Sequence, residues 1–152
     1  ADHEGLRVLV ADQAWESTPP REIAAQAFEL LRSVHGDREL ALVEAARERA
    51  LAGGAGALGL RNVCAALNAG RVEHLLYDDG IALEGFTTSE GTLHARIEGA
   101  IADSDVTFTR EPLFVERMIE AALATSASVT PLSEEVAINV RAFEGVAALL
   151  RW

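Results

Sequence analysis

Lysine is absent from this 152-residue chain, and all 13 of its basic residues are arginine. Chemistry that needs a primary side-chain amine, such as a Schiff base or the lysine of a phosphate-binding P-loop, is therefore excluded. Cysteine is nearly absent too. The single thiol, Cys64, cannot form a disulfide within the chain and leaves no cysteine set for zinc. Positive charge is scarce: 24 acids against 13 arginines leave a net charge of −11, which counts against binding a phosphate backbone. No apolar stretch reaches the roughly 18 residues a membrane span needs. The opening Ala1-Asp2-His3-Glu4 lacks the basic-then-apolar layout of a secretory signal. The expectation is a soluble, cytoplasmic, acidic protein with no membrane partner.

What remains is an ordinary globular composition, 49% hydrophobic and 24% charged, in a length that suits one domain of roughly 100–200 residues. Leu6-Arg7-Val8-Leu9-Val10 reads as a short strand. Thr18-Pro19-Pro20 predicts a helix start, with Thr18 as N-cap and proline tolerated in the first turn. Ile23, Ala27, Leu30, Leu31 and Val34 then recur at helical spacing, and Gly36 is expected to end the helix. Asp37 is expected to cap a second helix that buries Leu40, Val43, Ala46, Ala50 and Leu51 and stops at Gly53-Gly54.

Beyond those glycines the pattern alternates. Ala55–Leu58 predicts a short strand, Arg61–Asn68 a helix and Val72–Tyr77 a strand. Leu113–Ala124 predicts a helix with Val115, Met118, Ile119, Ala122 and Leu123 inward. Ala127–Thr130 predicts a strand, Ser133–Val136 a short helix start, and the unbroken apolar run Gly145–Leu150 a buried strand. Such alternation implies a layered α/β domain. Between Asp78 and Pro112 the character changes: eight acids stand against Arg96 and Arg110. There Ile81–Leu83 and Leu93–Ile97 predict a small hairpin around Ser89-Glu90-Gly91, an excursion from the core.

Gly54-Ala55-Gly56-Ala57-Leu58-Gly59 matches the dinucleotide pattern GxGxxG, and Asp78 and Asp79 lie about 20 residues on, where such folds place a ribose-binding acid. The pattern also requires a hydrophobic strand leading into the first glycine. Ala46–Ala52 instead has helical amphipathicity, so the glycines read better as a turn between helix and strand. The four histidines, His3, His35, His74 and His94, show no metal-ligand spacing. Cys64, between Val63 and Ala65 in a helix, reads as a buried thiol. No GxSxG elbow is present. The sequence thus assigns no catalytic, cofactor-binding or metal-ligating residue.

Two segments are more specific. Gly59-Leu60-Arg61-Asn62-Val63-Cys64-Ala65-Ala66-Leu67-Asn68-Ala69-Gly70-Arg71-Val72-Glu73-His74-Leu75-Leu76 follows the pattern G-x-x-x-V-x-x-A-L-x-x-G-x-V-x-x-L-L. Gly145-Val146-Ala147-Ala148-Leu149-Leu150-Arg151-Trp152 follows G-[IV]-A-A-x-L-R-[YW]. In this order they resemble the third, C-terminal domain of class-1 peptide release factors and Pelota, and most of all the bacterial release-factor-like proteins, over about residues 19–152. The resemblance implies a three-layer α/β/α sandwich with a mixed sheet, similar to the kink-turn-RNA-binding ribosomal proteins. It implies that residues 1–18 are a remnant of a preceding middle domain, and so that the chain is a fragment of a longer protein.

The resemblance further implies a non-catalytic protein-interaction module of a release-factor-like or ribosome-rescue protein, whose partner is a translational GTPase or the ribosome. Release factors hydrolyse peptidyl-tRNA through a Gly-Gly-Gln loop in their middle domain. Here Gly53-Gly54-Ala55 lacks the glutamine and lies in the wrong domain, so hydrolysis would belong to an upstream part of the parent protein. Kink-turn binders carry Asn-Glu-Val-Thr-Lys where this chain has Arg61-Asn62-Val63-Cys64-Ala65, so direct nucleic-acid binding is not favoured. The candidate partner surface is Asp78, Asp79, Glu84, Glu90 and Glu98, since clustered charge steers a basic partner. The alternatives are a dinucleotide-binding enzyme using Gly54–Gly59 and an RNA-binding domain.

Overall fold

A computed structural model describes residues 20–97 and 105–152; the predicted strand Leu6–Val10 and the cap Thr18 lie outside them. The chain divides into two units, Ala1–Arg38 and Glu39–Trp152. Helix α1 spans Pro20–Leu51. The expected break at Gly36 is absent, and Asp37 caps nothing. A mid-helix glycine costs only about 1 kcal/mol relative to alanine, and Gly36 is not among the glycines with positive φ. The stop comes at Gly53, φ +72°, where the amides of Gly53 and Gly54 bond back to the carbonyls of Ala50 and Arg49. That left-handed cap satisfies carbonyls the helix end would otherwise orphan. In the first unit, Ile23, Ala27, Leu30 and Val34 are half-buried and Leu31 is exposed.

The second unit holds a four-stranded mixed sheet ordered β1-β7-β2-β6, from β1 (Gly56–Leu58), β2 (Val72–Asp78), β6 (Ser128–Leu132) and β7 (Val146–Leu150). β7 pairs antiparallel with β1 and β2, while β2 and β6 are parallel. All five residues of β7 are buried, as the unbroken apolar run predicts for a buried strand. On one face, Val146, Ala148 and Leu150 pack with α2 (Leu60–Asn68) and α3 (Phe114–Ala124). On the other, Ala147 and Leu149 pack with Val43 and Ala46 of α1 and with Val136 and Ala137 of the short α4 (Glu134–Ala137). Three layers result, with two cores either side of one sheet.

The Val-x-x-Leu-Leu pattern now has a cause. β2 bulges between Val72 and His74, so Glu73 is an extra residue and the side-chain alternation slips by one. Val72 and Leu75 therefore share the α2–α3 face while Leu76 turns to the other. Pro131 is tolerated because β6 is an edge strand. α3 starts at Phe114, and its buried residues are Phe114, Met118 and Ala122. The predicted inward Leu123 is exposed and Val115 only half-buried, because Phe114, at the helix start, sets the face.

The excursion is a second, antiparallel sheet ordered β4-β3-β5, made of β3 (Gly85–Thr88), β4 (Leu93–His94) and β5 (Phe108–Glu111). The turn at Ser89–Gly91 falls where predicted, but Ile81–Leu83 is not a strand: the pairing begins at Gly85. β5 is not among the predicted strands; Phe108–Glu111 is short, with Thr109 and Arg110 exposed and Phe108 and Glu111 half-buried, so it carries no apolar alternation. This sheet is tied to the core rather than standing off it. Leu93 is buried among the α2–α3 residues, and the Asn68 amide accepts from the Leu93 N–H and donates to its C=O, both at 2.8 Å.

Candidate functional site

The glycine hexad is a junction, with no phosphate cradle. The residues before Gly54 are helix α1, and β1 is an edge strand antiparallel to β7. A dinucleotide fold needs a buried parallel strand there, aiming the next helix at a pyrophosphate. Gly56 instead allows α1 to lie against the sheet: a Cβ there would stand 2.3 Å from the Ala46 carbonyl oxygen and 2.6 Å from the Ala50 nitrogen. Gly59, φ +87°, is the N-cap of α2. The N-terminus of α2 is already occupied by an anion. Glu144 Oε1 accepts the Leu60 N–H at 3.2 Å, a favourable place for a carboxylate in the helix dipole. Glu144 itself is left-handed, φ +60°.

Beside that carboxylate, between the start of α2 and the small sheet, lies a cleft of about 650 Å³. Leu60, Leu83 and Phe86 give it an apolar lining, and Glu84, Arg96, Arg110 and Glu144 supply charge. Phe86 of β3 stands opposite Arg110 of β5 and His94 of β4. Arg110 is ion-paired with Glu84, both side chains being largely exposed. Among the described residues Arg96 has no such partner. Sequence reasoning passed over this cleft, because its residues come from five separate segments and no spacing links them.

The acids of the predicted partner surface differ in exposure and pairing. Asp78, at the end of β2, is mostly covered: its Oδ1 accepts the Gly80 N–H at 3.1 Å and its Oδ2 lies 3.5 Å from Arg141 Nε. It shapes the turn out of the sheet. Asp79 is exposed beside Tyr77, whose hydroxyl titrates higher than usual from burial first, then from the charges of Asp79 and Glu116. Glu84 is paired with Arg110, Glu90 is exposed in the β3–β4 turn, and Glu98 lies outside the described residues.

Cys64 is buried in α2. Burial, reinforced by the negative charge of Glu144, pushes its thiol up to about 12, so no thiolate nucleophile is available near neutral pH. His74 Nε2 lies 2.6 Å from Thr130 Oγ1; burial lowers its pKa, against an opposing pull from Glu73. Among the described residues no group of three or more His, Cys, Asp or Glu is placed to hold a metal ion. No helix there is long and apolar enough to cross a membrane.

No family model and no curated protein matches the sequence. Solved structures do. The C-terminal domain of a peptide chain release factor from Methanosarcina mazei superimposes with a TM-score of 0.58 at 22% identity, covering 90% of this chain and 97% of that one. A chain in a structure of ribosome-bound archaeal Pelota and ABCE1 gives a TM-score of 0.51, again at 22% identity; 90% of this chain matches 34% of that one. The fold is thus that of a release-factor C-terminal domain, as the two motifs imply.

Proposed function

We propose that this chain is a non-catalytic interaction module of a translation release-factor-like or ribosome-rescue protein, working in the cytoplasm by docking on the ribosome or on a translational GTPase. The observation that carries this reading is the fold likeness to a release-factor C-terminal domain along nearly the whole of both chains. It is reinforced by the two motifs, which do the structural work that defines the fold. Gly70, φ +68°, stops α2, the bulged Val72–Leu76 strand feeds both cores, and Gly145–Leu150 fills the sheet centre.

A protein-binding role suits the chemistry better than an RNA-binding one. A net charge of −11 repels a phosphate backbone, and Glu144 sits at the α2 N-terminus, where an incoming phosphate would meet a carboxylate. The exposed acids Asp79 and Glu90 form part of the docking surface, steering a basic partner. Residues 1–18 belong, in this reading, to the end of a preceding middle domain.

Sedimentation through a sucrose cushion with purified bacterial and archaeal ribosomes tests the proposal. The chain is expected in the ribosomal pellet, and Asp79→Asn combined with Glu90→Gln is expected to reduce it. A chain that stays in the supernatant with both ribosome types, and that captures no translational GTPase, would sink the proposal.

A further inference from the structure

The cleft beside the α2 N-terminus is not absorbed by this reading, and its charges are unequal in availability. Glu144 is held by the Leu60 amide at the positive end of a helix, which offsets much of its charge. Glu84 and Arg110 face each other in an exposed pair, and such pairs contribute little and exchange readily. Arg96 alone has no partner among the described residues. The unspent charge in the cleft is therefore a guanidinium, a planar fork matched to a carboxylate. It lines the same cleft as Leu60, Leu83 and Phe86.

We propose that this cleft binds the free C-terminus of a peptide whose last side chains are apolar, Arg96 taking the terminal carboxylate. A space of about 650 Å³ falls within the range of built ligand sites and is larger than a simple short-chain acid would fill. The apolar side chains lie on Leu60, Leu83 and Phe86, and Arg110, while it keeps Glu84 neutralised, adds a weaker attraction for the carboxylate. Phosphate esters are disfavoured, because their greater charge would face both Glu84 and Glu144. The site is separate from the exposed acids Asp79 and Glu90, so the ribosome experiment and this one stand or fall independently.

Isothermal titration of the full chain with acetyl-Gly-Ser-Leu-Phe as the free acid, as its C-terminal amide, and with hexanoate tests the assignment. The free acid is expected to bind, with the amide at least about tenfold weaker and hexanoate weaker still. Arg96→Gln, at an exposed position, is expected to weaken the free acid by about tenfold while leaving the thermal melt unchanged. Arg110→Gln should weaken it less. Equal binding of acid and amide, wild-type affinity in Arg96→Gln, or no binding of the free acid at millimolar concentration overturns the proposal. Hexanoate binding as tightly as the peptide overturns the peptide as occupant.

Discussion

Among the described residues, two other than glycine hold the left-handed conformation, Ser126 at φ +62° and Glu144 at φ +60°, and they do so for different reasons. Ser126 closes α3: its amide bonds to the Leu123 carbonyl and that of Ala127 to the Ala122 carbonyl, the same cap that Gly53 and Gly70 make on α1 and α2. Its side chain has no role in that cap, so Ser126→Gly is expected to stabilise the chain by about 0.5–1 kcal/mol in urea unfolding. Glu144 contributes its carboxylate to α2 and gains nothing from the same change. His74 gives a pH signature. Its folded pKa lies below the ordinary 6.5, so the unfolded chain binds the proton more readily. The stability of the neutral ring is complete above the ordinary value and is lost as pH falls through the folded one. The Tm is expected to drop between about pH 7 and pH 5, and less steeply in His74→Gln. None of this was legible beforehand: GxGxxG gave the turn at Gly59 but not the Glu144 carboxylate that arrives 85 positions later in the chain.

At the scale of elements, the segments that the sequence announced are those with strong local signals. α2, β2, α3 and β7 each begin or end within a residue or two of expectation, because a helical stripe, a left-handed glycine or an apolar run marks them. The failures have physical causes. Gly36 was expected to break α1, yet glycine stops a helix only where it turns left-handed. β5 escaped because an edge strand of exposed Thr109 and Arg110 gains its stability from backbone pairing with β3 rather than from burial. The small sheet is held to the core by Leu93 and by the paired bonds of Asn68 to the Leu93 backbone. Asn68→Ala is expected to cost about 1–3 kcal/mol. Hydrogen exchange should show the loss first at the Leu93 amide and in β4, with the β2–β7 pairing still protected. Uniform loss of protection across both sheets would mean that the two unfold together.

For the molecule as a whole, charge and layering make separate demands. With a net charge of −11, self-repulsion opposes the compact state. The Tm is therefore expected to rise as NaCl increases from about 20 mM to about 300 mM, before specific salt effects enter. A flat response would show that the acids lie too far apart to repel. The acidic stretch 78–112 reads as a single charged lobe in one dimension. In the fold its described acids have different roles: Asp78 shapes a turn, Glu84 pairs with Arg110, and Asp79 and Glu90 are exposed. The sequence alone determined the layered α/β class, the order of most elements and the burial of β7, because periodicity and uninterrupted hydrophobicity are local consequences of which faces must leave water. Only the tertiary structure decided the slip of β2 at Glu73, the seating of α1 against Gly56 and the cleft around Arg96. Each depends on atoms from distant parts of the chain meeting within a few ångströms, and local periodicity carries no record of such meetings.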